Sequence, residues 1–286
     1  MSKLTLHINK PGLQTTIQDK GRKGQQHLGV PFGGPMDEKS ADGANWLVGN
    51  KAGSALLEMT LIGPEIEFQG NGFIAITGAN LSPQINNKEV ALNKTLTISD
   101  GDILTFGACK YGCRSYLAVG GEWLVPDWLQ SVSAYSNIFT PHSILKKKDT
   151  IDIKTTRPSL KQLLASQSMI FPQEVRVRVT KGPEINQFSK HELNQLLQYG
   201  HLVSKEANRM GYRLSTRLKN YTSHSELISS GIIPGTIQIT NEGQPIILMK
   251  DAQTTGGYPR IATIIKEDLN IVGQLKPGDT IWFALI

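Results

Sequence analysis

The sequence predicts a mainly β chain with a few short helices, built as two similar β domains in tandem. Short apolar runs with period-two alternation fill much of the first half and are typical of antiparallel sheet or barrel. Segments 63–68 and 182–188 resemble each other, as do segments 100–106 and 277–283, and both echoes occur in the same order. These echoes favour an internal duplication. A chain of 286 residues is long enough for two domains with real cores.

Local patterns place the main elements. Residues 1–10 alternate as a strand, and Asp37 is positioned to cap a helix over 38–48. Ser189 and Glu192 form a capping-box pattern at the start of a second helix. We therefore predict a first β-barrel domain over 1–156, a linker over 157–172 and a second β-barrel domain over 173–286.

Composition excludes several classes of protein. The net charge is +6 and the pI about 9.2, but the basic residues are dispersed, so we expect anionic ligands and no nucleic acid. No apolar run reaches transmembrane length and no signal peptide is evident, so we expect a cytoplasmic chain with no membrane partner. Cys109, Cys113 and the scattered histidines predict neither a disulfide framework nor a metal site.

The stretch 251–260 is the strongest candidate site. Apolar, strand-like runs flank it, and a loop of roughly ten residues is longer than ordinary hairpin turns, which favours a function. Gly256-Gly257 lets a ligand approach backbone N–H groups, while the neighbouring polar side chains supply donors, acceptors and one fixed positive charge. The alternative is a solvated polar loop.

A Gly-rich stretch beginning at Gly21 is a second candidate loop. It has neither a P-loop nor a dinucleotide fingerprint, so any nucleotide must be held in another way. Asn45 lies among the apolar positions of the predicted helix, where a satisfied buried amide and a ligand contact are both open interpretations. We expect the 18–22 loop to face the 251–260 loop across a cleft and to complete one active pocket with it.

Five motifs in order resemble a known family: 12–22, 44–50, 209–214, 235–238 and 251–260. Together they are similar to the 5-oxoprolinase C subunit family, which is related to allophanate hydrolase subunit 2 and to the carboxyltransferase domain of biotin-dependent urea carboxylase. The resemblance covers about 12–283. It implies a pair of cyclophilin-like β-barrels. The stretch Ser133-Ala134-Tyr135 departs from the Ser-Thr-rich segment expected of the family.

The resemblance also implies a function. It implies that the chain acts with a B component, and with a lactam-opening A component, in the ATP-dependent conversion of 5-oxo-L-proline to L-glutamate. ATP with Mg²⁺ is then the expected cofactor, and Met249-Lys250-Asp251 is not a biotin acceptor, so no biotin is attached to this chain. Two alternatives stay open: a carboxyltransferase component that receives carboxybiotin from another protein, and a non-enzymatic regulatory module that binds a B component or kinase-inhibitor partner. No biotin carboxylase or carrier segment is evident, which favours the oxoprolinase.

Phosphorylating the lactam oxygen would turn it into a leaving group, and such a site needs cations for phosphate and carboxylate. Asp251 is a candidate Mg²⁺ ligand or general base. We predict catalytic roles for Asp251, Thr254, Thr255, Tyr258 and Arg260. We predict substrate or nucleotide binding by Gln18, Asp19, Arg22, Asn45, Arg209, Tyr212, Arg213, Gln238, Gln253, Gly256 and Gly257.

Overall fold

The chain forms two compact β-rich units in a computed structural model that describes residues 3–156, 161, 171–221 and 227–286. The first unit comprises Met1–Arg22 and Gly33–Phe171, and the second comprises Lys23–Phe32 and Pro172–Ile286. The predicted fold class, mainly β with two tandem barrel domains and a few short helices, is confirmed. The predicted domain limits stay a prediction, since most of the linker 157–172 lies outside the described residues.

The first unit contains a seven-stranded and a five-stranded sheet, whose strand pairings are antiparallel and mostly join strands that are not consecutive in sequence. Its strands are β1 (Lys3–Lys10), β2 (Gln14–Gln18), β3 (Leu56–Thr60), β4 (Glu65–Gln69), β5 (Gly72–Asn80), β6 (Pro83–Ile85), β7 (Lys88–Glu89), β8 (Thr95–Ile98), β9 (Ile103–Phe106), β10 (Tyr111–Val119), β11 (Gly121–Trp123) and β12 (Thr150–Thr155). The strand orders are β11-β12-β1-β4-β9-β6-β7 and β2-β3-β10-β5-β8.

The core of this unit follows from strand alternation. Leu4, Leu6 and Ile8 of β1 point to one side and are buried, while the residues between them are more exposed. They join a single apolar cluster with inward residues of both sheets, including Phe68 and Leu117. Truncating one of these residues, such as Leu6→Ala, would cost about 2–5 kcal/mol of stability because the surrounding sheets cannot close the cavity.

Helix α1 (Glu38–Leu47) begins where the sequence predicts. The Asp37 carboxylate accepts the Ser40 backbone N–H at 3.0 Å, which is the expected N-cap bond. The apolar face of α1 packs with Tyr116 and Ala118 of β10 in a second buried cluster. The cap and this face together fix the helix against the five-stranded sheet.

The second unit is organised around another seven-stranded sheet, in which β13 and β21 are parallel neighbours and the other pairings are antiparallel. Its strands are β13 (Glu174–Lys181), β14 (His201–Leu202), β15 (Gly211–Arg213), β16 (Ser230–Gly231), β17 (Thr236–Ile239), β18 (Pro245–Leu248), β19 (Thr255–Gly256), β20 (Arg260–Ile264) and β21 (Thr280–Leu285). The order is β14-β21-β13-β20-β17-β18-β15, with β16 and β19 as a separate pair. Its helices are α2 (Lys190–Gln198) and α3 (Leu269–Val272).

Helix α2 confirms the predicted capping box. The Ser189 hydroxyl accepts the Glu192 N–H, and the Glu192 carboxylate accepts the Ser189 N–H at 2.7 Å. None of the helices in the described parts of the chain is long and apolar enough to cross a membrane.

The sequence echoes differ in structure. In the first unit, 63–68 and 100–106 lead into β4 and β9, which pair with each other at Ile66 and Leu104. In the second unit, 277–283 leads into β21, whereas 182–188 forms a 3-10 turn instead of a strand. Superposition of the two halves as similar barrels therefore stays a prediction.

Candidate active site

The 251–260 loop connects β18 to β20, and these two strands lie on either side of β17 rather than beside each other. The predicted flanking strands are therefore present, but the loop crosses over a third strand. Within the loop, Thr255 and Gly256 form β19 and pair with Gly231 and Ser230 of β16. The Ile232 N–H donates to the Thr254 carbonyl at 3.0 Å. The loop thus has backbone support along its length.

The start of the loop is held by an ion pair. The Arg209 guanidinium donates to both Asp251 carboxylate oxygens, from Nε at 2.7 Å and from Nη2 at 2.9 Å. The Arg209 side chain is only 5% exposed and the Asp251 side chain 20%. The Asp251 N–H also donates to the Arg209 carbonyl at 2.9 Å. Asp251, predicted as a catalytic residue, and Arg209, predicted as a binding residue, therefore bind each other.

The end of the loop is held by Glu184, which sequence reasoning missed. Arg260 donates to its carboxylate from the backbone N–H at 3.0 Å, from Nε at 2.7 Å and from Nη2 at 2.5 Å. Its Nη1 donates to the Gly231 carbonyl at 2.9 Å. These hydrogen bonds from Arg260 hold the pKa of the Glu184 carboxyl below its usual range, and Glu184 in turn raises the pKa of Arg260.

Local sequence explains why Glu184 reaches Arg260. Strand β13 pairs with β20, and the Gly182 N–H continues this ladder by donating to the Ile261 carbonyl at 3.0 Å. A Cβ at Gly182 would lie 2.1 Å from the Arg260 carbonyl oxygen, so only glycine fits this approach. The chain then turns and brings Glu184 to Arg260. The repeated Gly-Pro-Glu segment at 182–184 marks Glu184 in the sequence, but it does not indicate that this segment lies beside β20.

The middle of the loop rests on Gln238 of β17. This buried side chain donates from Nε2 to the Tyr258 carbonyl at 3.1 Å. A Cβ at Gly256 would lie 2.8 Å from the same Nε2, so the glycine lets the loop lie against the amide. Gln238 was predicted as a binding residue. Its described contact is with the loop backbone, and a ligand contact stays a prediction.

Three predicted side chains of the loop face solvent: Gln253, Thr255 and Tyr258. Thr254 and Gly257 are half-buried. Because the loop's charged ends are engaged with Glu184 and Arg209, these exposed groups are the ones most available to a ligand. A hydroxyl, a phenol and an amide would supply hydrogen bonds without adding charge.

Two predicted residues lie on β15, which pairs with β18. Tyr212 is buried in the unit, whereas Arg213 is partly exposed and contacts the Glu206 carboxylate at 3.2 Å and the Gln244 side chain at 3.3 Å. An exposed ion pair of this kind exchanges easily with solvent and ligands. Arg213 is therefore the predicted cation whose side chain is most accessible.

The predicted residues of the first unit form an internal network. The Arg22 guanidinium is buried and donates to the carbonyls of Trp128, Ser131 and Ser133 at 2.7–3.1 Å, and it lies 5.0 Å from the Trp128 ring centroid. These contacts give Arg22 a structural role, and ligand binding by it stays a prediction. The same Ser133 belongs to the stretch that departs from the family pattern.

Asp19 is likewise engaged within the unit. Its carboxylate accepts the hydroxyls of Ser131 and Ser133 and the N–H groups of Val132 and Gly21. Gln18 is fully buried, and its Oε1 has no hydrogen-bond partner among the described residues. The 18–22 loop and the 251–260 loop belong to different units, and their joint pocket stays a prediction.

Asn45 satisfies its amide locally. Its Nδ2 donates to the Ser54 carbonyl at 2.9 Å, and its Oδ1 accepts from Asn50 at 3.1 Å. These bonds agree with a buried amide that closes local backbone. Ligand binding by Asn45 stays a prediction.

A buried polar network in the first unit had no signal in the sequence. The Tyr116 hydroxyl donates to the Glu58 carboxylate at 3.0 Å and accepts the Asp37 N–H at 2.9 Å, while Arg114 lies 3.6 Å from Glu58. Burial and the two nearby carboxylates raise the pKa of Tyr116 well above its ordinary value. The network ties the start of α1 to β3 and β10.

A cavity of about 790 Å³ lies against β1 and β4 in the first unit, and its lining includes Glu67, Lys147 and Lys148 but no predicted site residue. Across the described ranges, no cluster of three or more His, Cys, Asp or Glu side chains could hold a metal ion. The candidate site therefore remains the 251–260 loop with its ion-pair anchors.

The sequence and fold are similar to those of known proteins. The family described as carboxyltransferase domain, subdomain A and B, matches residues 28–285. The chain is 35% identical to the 5-oxoprolinase C subunit of Escherichia coli (strain K12) over 98% of this chain and 90% of that protein. These matches cover the loop and both of its anchors.

Two solved structures share the fold. The crystal structure of TTHA0988 has a TM-score of 0.87 and 29% identity over 98% of this chain, and the chain spans 56% of its length. The Kluyveromyces lactis urea carboxylase has a TM-score of 0.91 and 31% identity over 99% of this chain, and the chain spans 27% of its length. The likeness to both structures therefore covers only part of each solved chain.

Proposed function

Because the chain belongs to the carboxyltransferase subdomain A and B family, we propose that it is the C subunit of an ATP-dependent 5-oxoprolinase. The observation that carries this proposal is the 35% identity with the Escherichia coli 5-oxoprolinase C subunit over nearly the whole of both chains. In this proposal the chain works in the cytoplasm as one part of a hetero-oligomer, with a B component and a lactam-opening A component. The complex opens 5-oxo-L-proline to L-glutamate and hydrolyses ATP.

The proposed reaction needs hydrogen-bond donors in fixed positions, which a polar loop fixed at both ends by ion pairs can supply. A lactam carbonyl is a poor electrophile, and transfer of the terminal phosphoryl group of ATP to its oxygen, with ADP leaving, activates the carbon for attack by water. The adduct then expels the ring nitrogen, which opens the lactam, and hydrolysis of the resulting acyl phosphate releases phosphate and L-glutamate. Hydrogen-bond donors aimed at the oxygen stabilise the charge that develops there. The Tyr258 hydroxyl, the Thr254 and Thr255 hydroxyls and the N–H groups of Gly256-Gly257 are the donors that this chain offers.

The charged residues have a different part in this proposal. Asp251 and Arg260 fix the two ends of the loop through their ion pairs with Arg209 and Glu184. Arg213 is the accessible cation for the substrate carboxylate or a phosphate. In this proposal the exposed Gln253 side chain hydrogen-bonds the ring amide.

The donor set fits Mg²⁺ poorly. Both Asp251 oxygens accept from Arg209, so the loop offers the metal no carboxylate without an existing partner. We therefore propose that Mg²⁺, together with most of the ATP, is held by the partner proteins of the complex. This chain's residues then bind and orient the lactam.

A second candidate function has its own support. The K. lactis urea carboxylase shares the fold at a TM-score of 0.91. In that alternative, the loop would receive a carboxyl group from biotin carried on another protein. A third candidate is a regulatory module that binds a B component without turnover.

The test is an ATPase and glutamate-formation assay on the co-purified A, B and C components, with and without 5-oxoproline. ATP hydrolysis that depends on 5-oxoproline and yields glutamate supports the proposal. Carboxylation of urea in the presence of a biotin carboxylase and its carrier, without oxoproline turnover, selects the second function. Stable complex formation with no turnover of either substrate selects the third.

A further inference from the structure

The second unit contains the same ion-pair geometry twice. Arg260 donates its backbone N–H, Nε and Nη2 to the Glu184 carboxylate, and Arg178 donates the same three groups to Asp268 at 2.7, 3.1 and 2.6 Å. In each case one arginine binds one carboxylate through its side chain and its own peptide group. The two carboxylates are also similarly covered, with 15% of the Glu184 side chain and 16% of the Asp268 side chain exposed.

The two pairs differ in what they hold. Arg260 is the first residue of β20 and ends the 251–260 loop, whereas Asp268 follows the other end of the same strand. Asp268 joins β13 to the turn after β20. Glu184 instead joins the turn after β13 to the end of the loop. The neighbouring loop residue, Pro259, accepts the Ile239 N–H at 3.0 Å.

Arg260 also links its carboxylate partner to the β16–β19 strand pair, in which β19 belongs to the loop. Its Nη1 donates to the Gly231 carbonyl, and Gly231 pairs with Thr255 in the β16–β19 ladder. Glu184 therefore fixes a guanidinium whose Nη1 binds β16, the strand that pairs with Thr255. A displaced carboxylate would free Arg260 and loosen this support.

We infer that Glu184 is a positioning residue of the 251–260 loop, which sets the geometry of the Tyr258 and Thr255 donors without touching the substrate. This inference rests on the proposed function of that loop in lactam opening. Glu184→Gln keeps the size of the side chain but removes its charge and turns one end into a donor facing Arg260. Asp268→Asn does the same to the matched pair away from the loop.

The experiment compares both variants with the wild type in the reconstituted complex of the A, B and C components. We expect Glu184→Gln to lower kcat for 5-oxoproline-dependent glutamate formation at least tenfold, with a melting temperature that stays well above the assay temperature. We expect Asp268→Asn to keep kcat within twofold. Wild-type turnover in Glu184→Gln, or an equal loss in both variants, would overturn the inference. If Glu184→Gln does not fold, Glu184→Asp, which is too short to meet all three donors, takes its place.

Hydrogen exchange separates this inference from the proposed function. In the wild-type chain and both variants, exchange is measured at the Ile232 and Ile239 amides, which donate to loop carbonyls. We expect exchange at these sites to be at least tenfold faster in Glu184→Gln and unchanged in Asp268→Asn. If the wild-type complex shows no oxoproline turnover, the proposed function fails and the exchange rates alone decide the role of Glu184. Unchanged exchange in Glu184→Gln would overturn that role.

Discussion

Arg209 and Asp251 form a bidentate ion pair, in which Nε and Nη2 of the arginine lie 2.7 and 2.9 Å from the two carboxylate oxygens. Their backbones are also joined, because the Asp251 N–H donates to the Arg209 carbonyl. The pair closes the start of the candidate loop as Glu184 and Arg260 close its end. A polar loop with both ends held in this way can present neutral donors in a fixed geometry.

The first prediction concerns the stability contributed by this pair. Arg209→Ala leaves the Asp251 carboxylate partly buried without its partner, and we expect it to lower the free energy of unfolding by about 3 kcal/mol. Chemical denaturation followed by circular dichroism measures the change. Arg213→Ala is the control, since its pair with Glu206 is exposed and should contribute less than about 1 kcal/mol. Equal effects of the two substitutions would show that the Arg209 pair adds nothing beyond a surface contact.

The second prediction concerns Arg22. Arg22→Lys keeps the charge but loses the fork that donates to three carbonyls of the 128–133 segment, so buried acceptors are left unpaired. We expect a loss of about 2–4 kcal/mol in the stability of the first unit, visible as a lower calorimetric transition. Lys20→Ala, at an exposed neighbouring position, should leave that transition in place. A stable Arg22→Lys variant with reduced oxoproline turnover would instead indicate that Arg22 binds a ligand.

Much of the fold could be predicted because its signals are local. The Asp37 cap and the Ser189–Glu192 capping box lie within a few residues of the helices they begin, and side-chain alternation marks strands such as β1. The loop at 251–260 was also visible, because Gly, Arg, Tyr and Asp are concentrated in one short stretch. Such patterns are set by neighbours along the chain.

The arrangement of the site was less predictable because its contacts are distant in sequence. Glu184 lies 76 positions from Arg260, and Arg22 lies 106–111 positions from the carbonyls it binds. Nothing in a sequence states which strands become neighbours, so a free arginine and a paired one look alike. The sequence alone therefore presents Arg209, Asp251 and Arg260 as groups available to a ligand, whereas in the structure each of them binds a side chain of the same unit.

The third prediction concerns acid stability and depends on His201. This side chain is fully buried, one ring nitrogen contacts the Leu196 carbonyl at 2.9 Å, and burial lowers its pKa below the ordinary value of 6.5 despite that hydrogen bond. Well above pH 6.5 the ring is neutral in both states and contributes no pH dependence. As pH falls below 6.5, the unfolded state binds more protons, so stability falls until the folded-state pKa is reached. We expect a loss of up to about 1 kcal/mol at about pH 5.5.

The measurement is denaturation of wild type and His201→Gln at about pH 7.5 and about pH 5.5, on either side of the ordinary histidine pKa. The difference between the two pH values should be smaller in the variant, because glutamine does not titrate. Other groups titrate equally in both proteins and cancel in the comparison. An identical pH dependence would mean that His201 is not the acid-sensitive group.

The fourth prediction is that this chain has no appreciable activity alone. The sequence contains neither a P-loop nor a dinucleotide fingerprint, and the loop carboxylate is already paired with Arg209. We expect 5-oxoproline-dependent ATP hydrolysis to need the partner proteins. The assay adds the B and A components stepwise to the purified chain, and oxoproline-dependent turnover by the chain on its own would refute the prediction.

The fifth prediction concerns Tyr258, whose exposed ring lies in the middle of the loop while its carbonyl is fixed by Gln238. Tyr258→Phe removes one hydroxyl donor and leaves the ring and the backbone bond in place. If that hydroxyl stabilises the developing charge on the lactam oxygen, kcat/KM for 5-oxoproline should fall by about tenfold to a hundredfold. The melting temperature should not change, because an exposed hydroxyl contributes little to folding.

Tyr199→Phe is the matched control, since Tyr199 is also exposed but lies at the end of α2. It should keep both kcat/KM and melting temperature. In Tyr258→Phe, a fall in kcat would point to a contact made in the transition state, whereas a rise in KM alone would point to ground-state binding of the substrate. Full activity of Tyr258→Phe would remove the tyrosine from the site and leave the threonine hydroxyls and glycine N–H groups as its donors.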